Sequence, residues 1–160
     1  MKPILLETLH DVNGETLEIY FSKELKGTLA MIELLKANVE LLENKHSGHA
    51  SIAIQNDDRV VWAQTLDGKI RSTVAYATTK NSDSNIPDGS VTLVLTYTDP
   101  KFRGKGLRSL LQPYVEQAIL NEGCNLILSY VHVNNASPNA VVQNQGFVKH
   151  LMVYYKKLKN

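Results

Sequence analysis

The stretch Thr98-Asp99-Pro100-Lys101-Phe102-Arg103-Gly104-Lys105-Gly106-Leu107-Arg108 sets two glycines among four cations. Glycines at 104 and 106 let the main chain approach an anion closely and adopt unusual angles. If a helix starts just after them, the amides of 104–108 and the helix dipole converge on one spot. Lys101, Arg103, Lys105 and Arg108 add positive charge around it. These residue types at this spacing suit a phosphate or pyrophosphate cradle. The plainer alternative is a glycine turn beneath a solvated basic face.

Positioning such a cradle requires a strand before it and a helix after it. Val91 to Thr98 is a β-branched run, and Leu107 to Glu122 carries an apolar face at Leu107, Leu110, Leu111, Tyr114, Val115, Ala118 and Ile119. Pro113 falls inside this helix and removes one donor, while Gly123 suits its end. Leu126 to Val133 reads as the next strand, so 91–133 is a strand–helix–strand crossover that implies one parallel pair.

Upstream, Pro3 to Leu9 and Thr16 to Phe21 read as strands around the turn Asn13-Gly14. Ser22 is expected to cap a helix running to Glu43, with Leu25, Leu29, Ile32, Leu35, Val39 and Leu42 facing a sheet. Ala50 to Ile54, Val60 to Thr65 and Ile70 to Thr78 read as strands, the last two joined at Asp67-Gly68. Trp62 belongs in or beside the core. Lys80 to Ser90 is a polar loop. Ser137-Pro138 should open a short helix that stops at Gly146, and Phe147 to Leu158 supplies the last strand or strand pair. The fold class expected is α/β: a mixed, mostly antiparallel sheet flanked by helices, with one parallel strand pair. A single domain over 1–160 is expected.

Composition narrows the function classes. Seventeen Lys and Arg stand against sixteen Asp and Glu, a net charge of +1, so the basic cluster at 101–108 is local. That balance disfavours a general nucleic-acid or membrane-surface binder. One cysteine, Cys124, excludes an internal disulfide framework and suits a reducing compartment; the cytoplasm is the default location. Cys124 is expected as a packed thiol at the start of a buried strand. His46 and His49 lie in a polar break without further ligands nearby, so no metal site is expected.

Thr98-x-Pro100-x-Phe102-Arg103-Gly104-Lys105-Gly106-Leu107 resembles the acyl-CoA loop of the GNAT acyltransferases, written as Arg or Gln, two residues, Gly, one residue, Gly or Ala. Arg103, Gly106 and Arg108 fall on the three fixed positions, the third as a departure. Asn135, followed eleven residues later by Gly146-Phe147, fits a second signature of that family. A Rossmann fingerprint would need glycine where Ser109 stands, and no P-loop Gly-Lys-Ser/Thr is present.

The resemblance implies acetyl-CoA as cofactor and transfer of its acyl group, by direct attack, to an amine on a small molecule or a peptide. It implies cofactor contacts from Thr96, Thr98, Arg103, Gly104, Lys105, Gly106, Leu107, Arg108 and Asn135. A main-chain N–H near Thr96 or Tyr97 is expected to polarise the thioester carbonyl. Many members protonate the leaving thiolate with a tyrosine seven residues after the motif Asn; here that position is Val142. Tyr130 and His132, on one face of the strand bordering the slot, are the catalytic candidates in its place. Tyr97 and Asp99 flank the slot from the other strand. Val142 and Arg108 favour a second reading, a protein of the same fold that binds CoA or a protein partner without turnover. A homodimer is left open.

Overall fold

The computed structural model describes residues 2–43, 54–78, 89–129 and 144–147. The chain divides into two units, Met1–Tyr130 and Val131–Asn160. In the first, six strands form one sheet in the order β1-β2-β3-β4-β5-β6. They are β1 (Ile4–His10), β2 (Thr16–Ser22), β3 (Arg59–Thr65), β4 (Ile70–Thr78), β5 (Ser90–Thr98) and β6 (Leu126–Leu128). Helix α1 (Leu29–Glu43) lies between β2 and β3, and α2 (Leu107–Asn121) between β5 and β6. Every neighbouring pair is antiparallel except β5 and β6, which run parallel. The crossover rule applied to 91–133 anticipates this pair. Of the second unit, Gly146 takes a φ of +80° two residues after the helical Asn144; the rest of the helix expected from Ser137 lies outside the described residues.

Local chemistry accounts for the turns. Asp11 Oδ1 accepts the amides of Asn13 (2.9 Å) and Glu15 (2.8 Å), closing the β1–β2 turn through Gly14. In the β3–β4 hairpin the Gly68 amide donates to Thr65 O at 2.9 Å, with Gly68 at φ +82°. Gly123, at φ +78°, ends α2 by donating to Leu120 O.

Strand alternation sorts the core onto two faces. Val60 and Trp62 point to α1 and cluster with Leu25, Ala30, Leu34, Ile70, Ala75 and Val94. Tyr20 stacks on Trp62 with centroids 5.4 Å apart. Val61 and Val74, facing the other way, are fully buried, and α2 packs on β3 and β4 with Leu107, Leu111, Val115, Ala118 and Ile119 buried.

Several expectations require correction. Ser22 does not cap α1: it stays in the β2 ladder opposite Val60, and its hydroxyl donates to Glu24 O. Gly27 turns the chain at φ +76°, and Thr28 Oγ1 accepts the Met31 amide at the helix start. The helix therefore begins six residues later and presents a different face. Ala30 and Leu34 are buried, whereas Leu29, Ile32 and Leu35 are 50%, 53% and 45% exposed. Periodicity alone did not separate the two stripes because both are apolar. Ile54 is not in a strand, and residues 50–53 lie outside the described ones. Strand β6 is only partly buried, since Leu126 is 38% exposed, and Cys124 is half-buried.

Two irregularities in the ladders position the functional region. Ala75 pairs with Leu95 and Tyr76 with Leu93, which leaves Val94 as an extra residue in β5. Ala63 pairs with Ser72 and Gln64 with Ile70, which leaves Arg71 extra in β4. A bulge bends its strand and re-aims side chains.

Candidate functional site

The glycine loop is built by an acidic residue at its start. Asp99 follows β5 and accepts the Lys101 amide (3.0 Å) on Oδ1, opening a 3₁₀ turn over Pro100–Phe102. Its own amide donates to Arg71 O at 2.9 Å, and Phe102 N donates to Asp99 O at 2.8 Å. The Arg103 Nε donates to Thr98 O at 3.2 Å, holding the loop back toward the strand. Gly104 and Gly106 then take φ of +74° and +77°, angles that L side chains rarely adopt. Gly106 is the residue before α2, and its carbonyl accepts the Leu110 amide.

A Cβ at Gly104 or Gly106 would meet nothing within 4 Å, so both glycines face open space. Among the described residues the amides of Gly104, Lys105 and Gly106 donate to no backbone acceptor. Those of Leu107 and Arg108 belong to the first helical turn, where no preceding carbonyl is in reach. This arrangement offers consecutive donors to an anion, with the dipole of a fifteen-residue helix behind them.

The four cations do different things. Lys101 and Arg103 are exposed, and Lys105 is exposed with Nζ 4.8 Å from the Phe102 ring centroid. Arg108 is turned along α2: its Nη1 donates to Gln112 Oε1 (2.7 Å), and Gln112 donates on to Glu116. Burial pulls the Arg108 guanidinium down to about 10, against the opposing pull of Glu116. An arginine is thus accommodated at the third motif position with its side chain along the helix.

Arg71 was not singled out by the sequence. It donates bidentately to Glu15 (Nε 2.9 Å, Nη2 2.7 Å), reaches Asp99 Oδ2 at 3.4 Å, and lies 4.0 Å over the Phe102 ring. The Glu15 hydrogen bonds raise its pKa further. One bulged side chain thereby ties the β1–β2 turn to the loop. No local sequence signal marks this, because Glu15 and Arg71 are 56 residues apart.

Thr96 is exposed on β5. The Thr98 hydroxyl shares a hydrogen bond with Ser72 (3.1 Å), which anchors the end of the strand. β5 pairs with β6 only from Ser90 to Thr92, so among the described residues its edge beyond Thr92 has no strand partner on that side. Tyr130, His132 and Asn135 lie outside the described residues, as do Val142, His46 and His49.

A cavity of about 350 Å³ opens beside the loop. Leu29, Ile32 and Glu33 of α1 form one wall, the β3–β4 hairpin from Gly68 to Arg71 another, and Tyr97 and Asp99 the end. Burial first, and then the Glu33 carboxylate to which its phenol is hydrogen-bonded, push Tyr97 up to about 12. Sequence reasoning placed Tyr97 and Asp99 beside the slot but missed Glu33, which reads there as an ordinary polar helix position. Among the described residues no group of three or more His, Cys, Asp or Glu is placed to hold a metal, and no helix is long and apolar enough to cross a membrane.

No protein-family model matches the sequence, and no curated protein matches it. Solved structures do match the fold. One is an aminoglycoside acetyltransferase from an uncultured soil metagenomic sample in complex with sisomicin, 14% identical with a TM-score of 0.63, covering 89% of this chain and 97% of that one. A second is an aminoglycoside 6′-N-acetyltransferase from Acinetobacter baumannii, 17% identical with a TM-score of 0.61, covering 90% and 99%. A third is an aminoglycoside N-acetyltransferase in complex with CoA, 17% identical with a TM-score of 0.59, covering 88% and 99%. With a mixed sheet of six strands and one parallel pair among the described residues, and a glycine loop at the head of α2, the chain has the fold of the GNAT acetyltransferases.

Proposed function

We propose that this protein is an acyl-CoA-dependent N-acyltransferase that passes an acetyl group to an amine. The observation that carries this reading is the β5–loop–α2 junction: two left-handed glycines facing open space, consecutive amides without backbone partners among the described residues, and a helix N-terminus behind them. That donor set fits a diphosphate. The amides of residues 104–108 would hold it, with Arg103 and Lys105 supplying charge. The edge of β5 from Leu93 to Thr98 would offer main-chain groups to an extended thioester arm. A CoA complex within this fold supports the same assignment.

Bound acyl-CoA supplies an activated acyl carbon. The deprotonated amine attacks it; a C–N bond forms, the C–S bond breaks, the nitrogen loses a proton and the thiolate gains one. A β5 amide near Thr96 or Tyr97 would stabilise the oxyanion of the tetrahedral state. Holding the amine against the thioester supplies much of the rate. Tyr130 and His132 are the residues we assign to proton transfer, and Asn135 to a cofactor contact.

Detection of free CoA thiol, with acetyl-CoA and a panel of amines, tests the assignment. Turnover with at least one amine is expected. Binding of acetyl-CoA with no thiol release from any amine would instead identify a non-catalytic binding protein.

A further inference from the structure

We propose that the cavity between α1, the β3–β4 hairpin and the end of β5 is the acceptor site, and that its ligand is a small primary monoamine on an apolar or aromatic body. This rests on the transferase reading above, and it names the acceptor class that the reading leaves open.

Shape and chemistry of the walls carry the argument. Leu29 and Ile32 sit one turn apart on α1, half exposed, and both line the cavity. Ile70 and the Tyr97 ring lie on the cavity's other walls. Such surfaces gain from covering a hydrocarbon body and give nothing to a polyhydroxylated one.

The charges balance. Glu33 and Asp99 contribute two carboxylates, and Lys69 and Arg71 two cations. Asp99 is already committed to Arg71 and the Lys101 amide, and Arg71 to Glu15. Glu33 is different. Beside the neutral Tyr97 phenol, its ion partner is Lys36 at 2.9 Å, an i,i+3 surface side chain that is 62% exposed, so the ion pair is weak and readily exchanged. One exchangeable carboxylate provides for one ammonium. A polycation would find no second uncommitted carboxylate on these walls, since Lys69 already holds Asp67 at 2.9 Å and Arg71 holds Glu15 and Asp99. Tyr97 both lines this cavity and belongs to β5 beside the amide assigned to the thioester carbonyl, so the amine would lie next to the acyl carbon.

Two measurements on the full chain test this. In the thiol-release assay, 2-phenylethylamine should give kcat/KM about tenfold or more above spermidine and sisomicin. Glu33→Gln should raise its KM about tenfold and lower kcat as well, because Glu33 holds the reacting nitrogen, whereas Leu29→Asn or Ile32→Asn should raise KM about fivefold with kcat nearly constant, since those two touch only the body of the amine. Preference for either polycation, or unchanged KM in all three variants, overturns the proposal. Separately, 2-phenylethylamine is titrated to about 10 mM into isotope-labelled protein, with and without acetyl-CoA. Methyl resonances of Leu29, Ile32 and Ile70 should shift. No shift under either condition overturns the acceptor site. Shifts in a protein that neither binds nor turns over acetyl-CoA uphold the amine cavity and overturn only the transferase reading.

Discussion

Gly106→Val separates the loop's conformational role from its role as a ligand cradle. At φ +77° a left-handed L residue costs about 1–2 kcal/mol, and a β-branched one lies at the upper end. No clash adds to this, because a Cβ there meets nothing within 4 Å. The variant should fold and melt lower by about 3–7 °C for a chain of this length. In the wild type, acetyl-CoA at a hundredfold excess over its dissociation constant should stabilise by about 2.7 kcal/mol, raising the melting temperature by about 5–10 °C. In Gly106→Val that ligand-dependent rise should vanish, since the new side chain fills the space in front of the amides. Gly123→Val is the control: at φ +78°, with nothing within 4 Å, it bears similar strain at the opposite end of α2 and should keep the full shift. Differential scanning fluorimetry with and without acetyl-CoA reads both effects. A full ligand shift in Gly106→Val, or loss of the shift in both variants, would refute the cradle.

Arg71→Gln should lower stability by about 2 kcal/mol, since it leaves the half-buried carboxylates of Glu15 and Asp99 without their partner and removes the cation over Phe102. It should also weaken acetyl-CoA binding by isothermal titration calorimetry, and a double-mutant cycle with Glu15→Gln should show coupling; unchanged melting and affinity would remove Arg71 as the anchor of the loop. In an alkaline titration followed at 295 nm, Tyr97→Phe should delete a phenol ionising near pH 12 rather than 10. Because the folded value is raised, the stability it represents is complete below pH 10 and is lost as pH rises through about 12; a variant that instead loses a phenol titrating near 10 contradicts the Glu33 contact. Leu111→Ala, fully buried under α2, should cost about 2–5 kcal/mol by urea denaturation, and a cost below 1 kcal/mol would contradict the packing of that helix on the sheet.

Elements whose signals are local were legible in the order of residues alone. Strand alternation and the Asp67-Gly68 turn located β3 and β4, and the apolar period located the buried face of α2. The crossover rule yielded the parallel pairing of β5 with β6, and glycine spacing yielded the loop, since a glycine's positive φ is encoded at the residue itself. The folded arrangement fixed whatever depends on contacts between distant segments. It chose Ala30 and Leu34 over Leu29 and Ile32 as the buried stripe of α1, because the turn at Gly27 and Thr28 sets the angle at which the helix meets the sheet. It also made Arg71 a bulge residue that reaches Glu15, Asp99 and Phe102 at once, and it brought Glu33 to Tyr97. A bulge shifts register by one residue and turns a side chain to new partners; that displacement arises from strand pairing, which no local pattern in the chain carries.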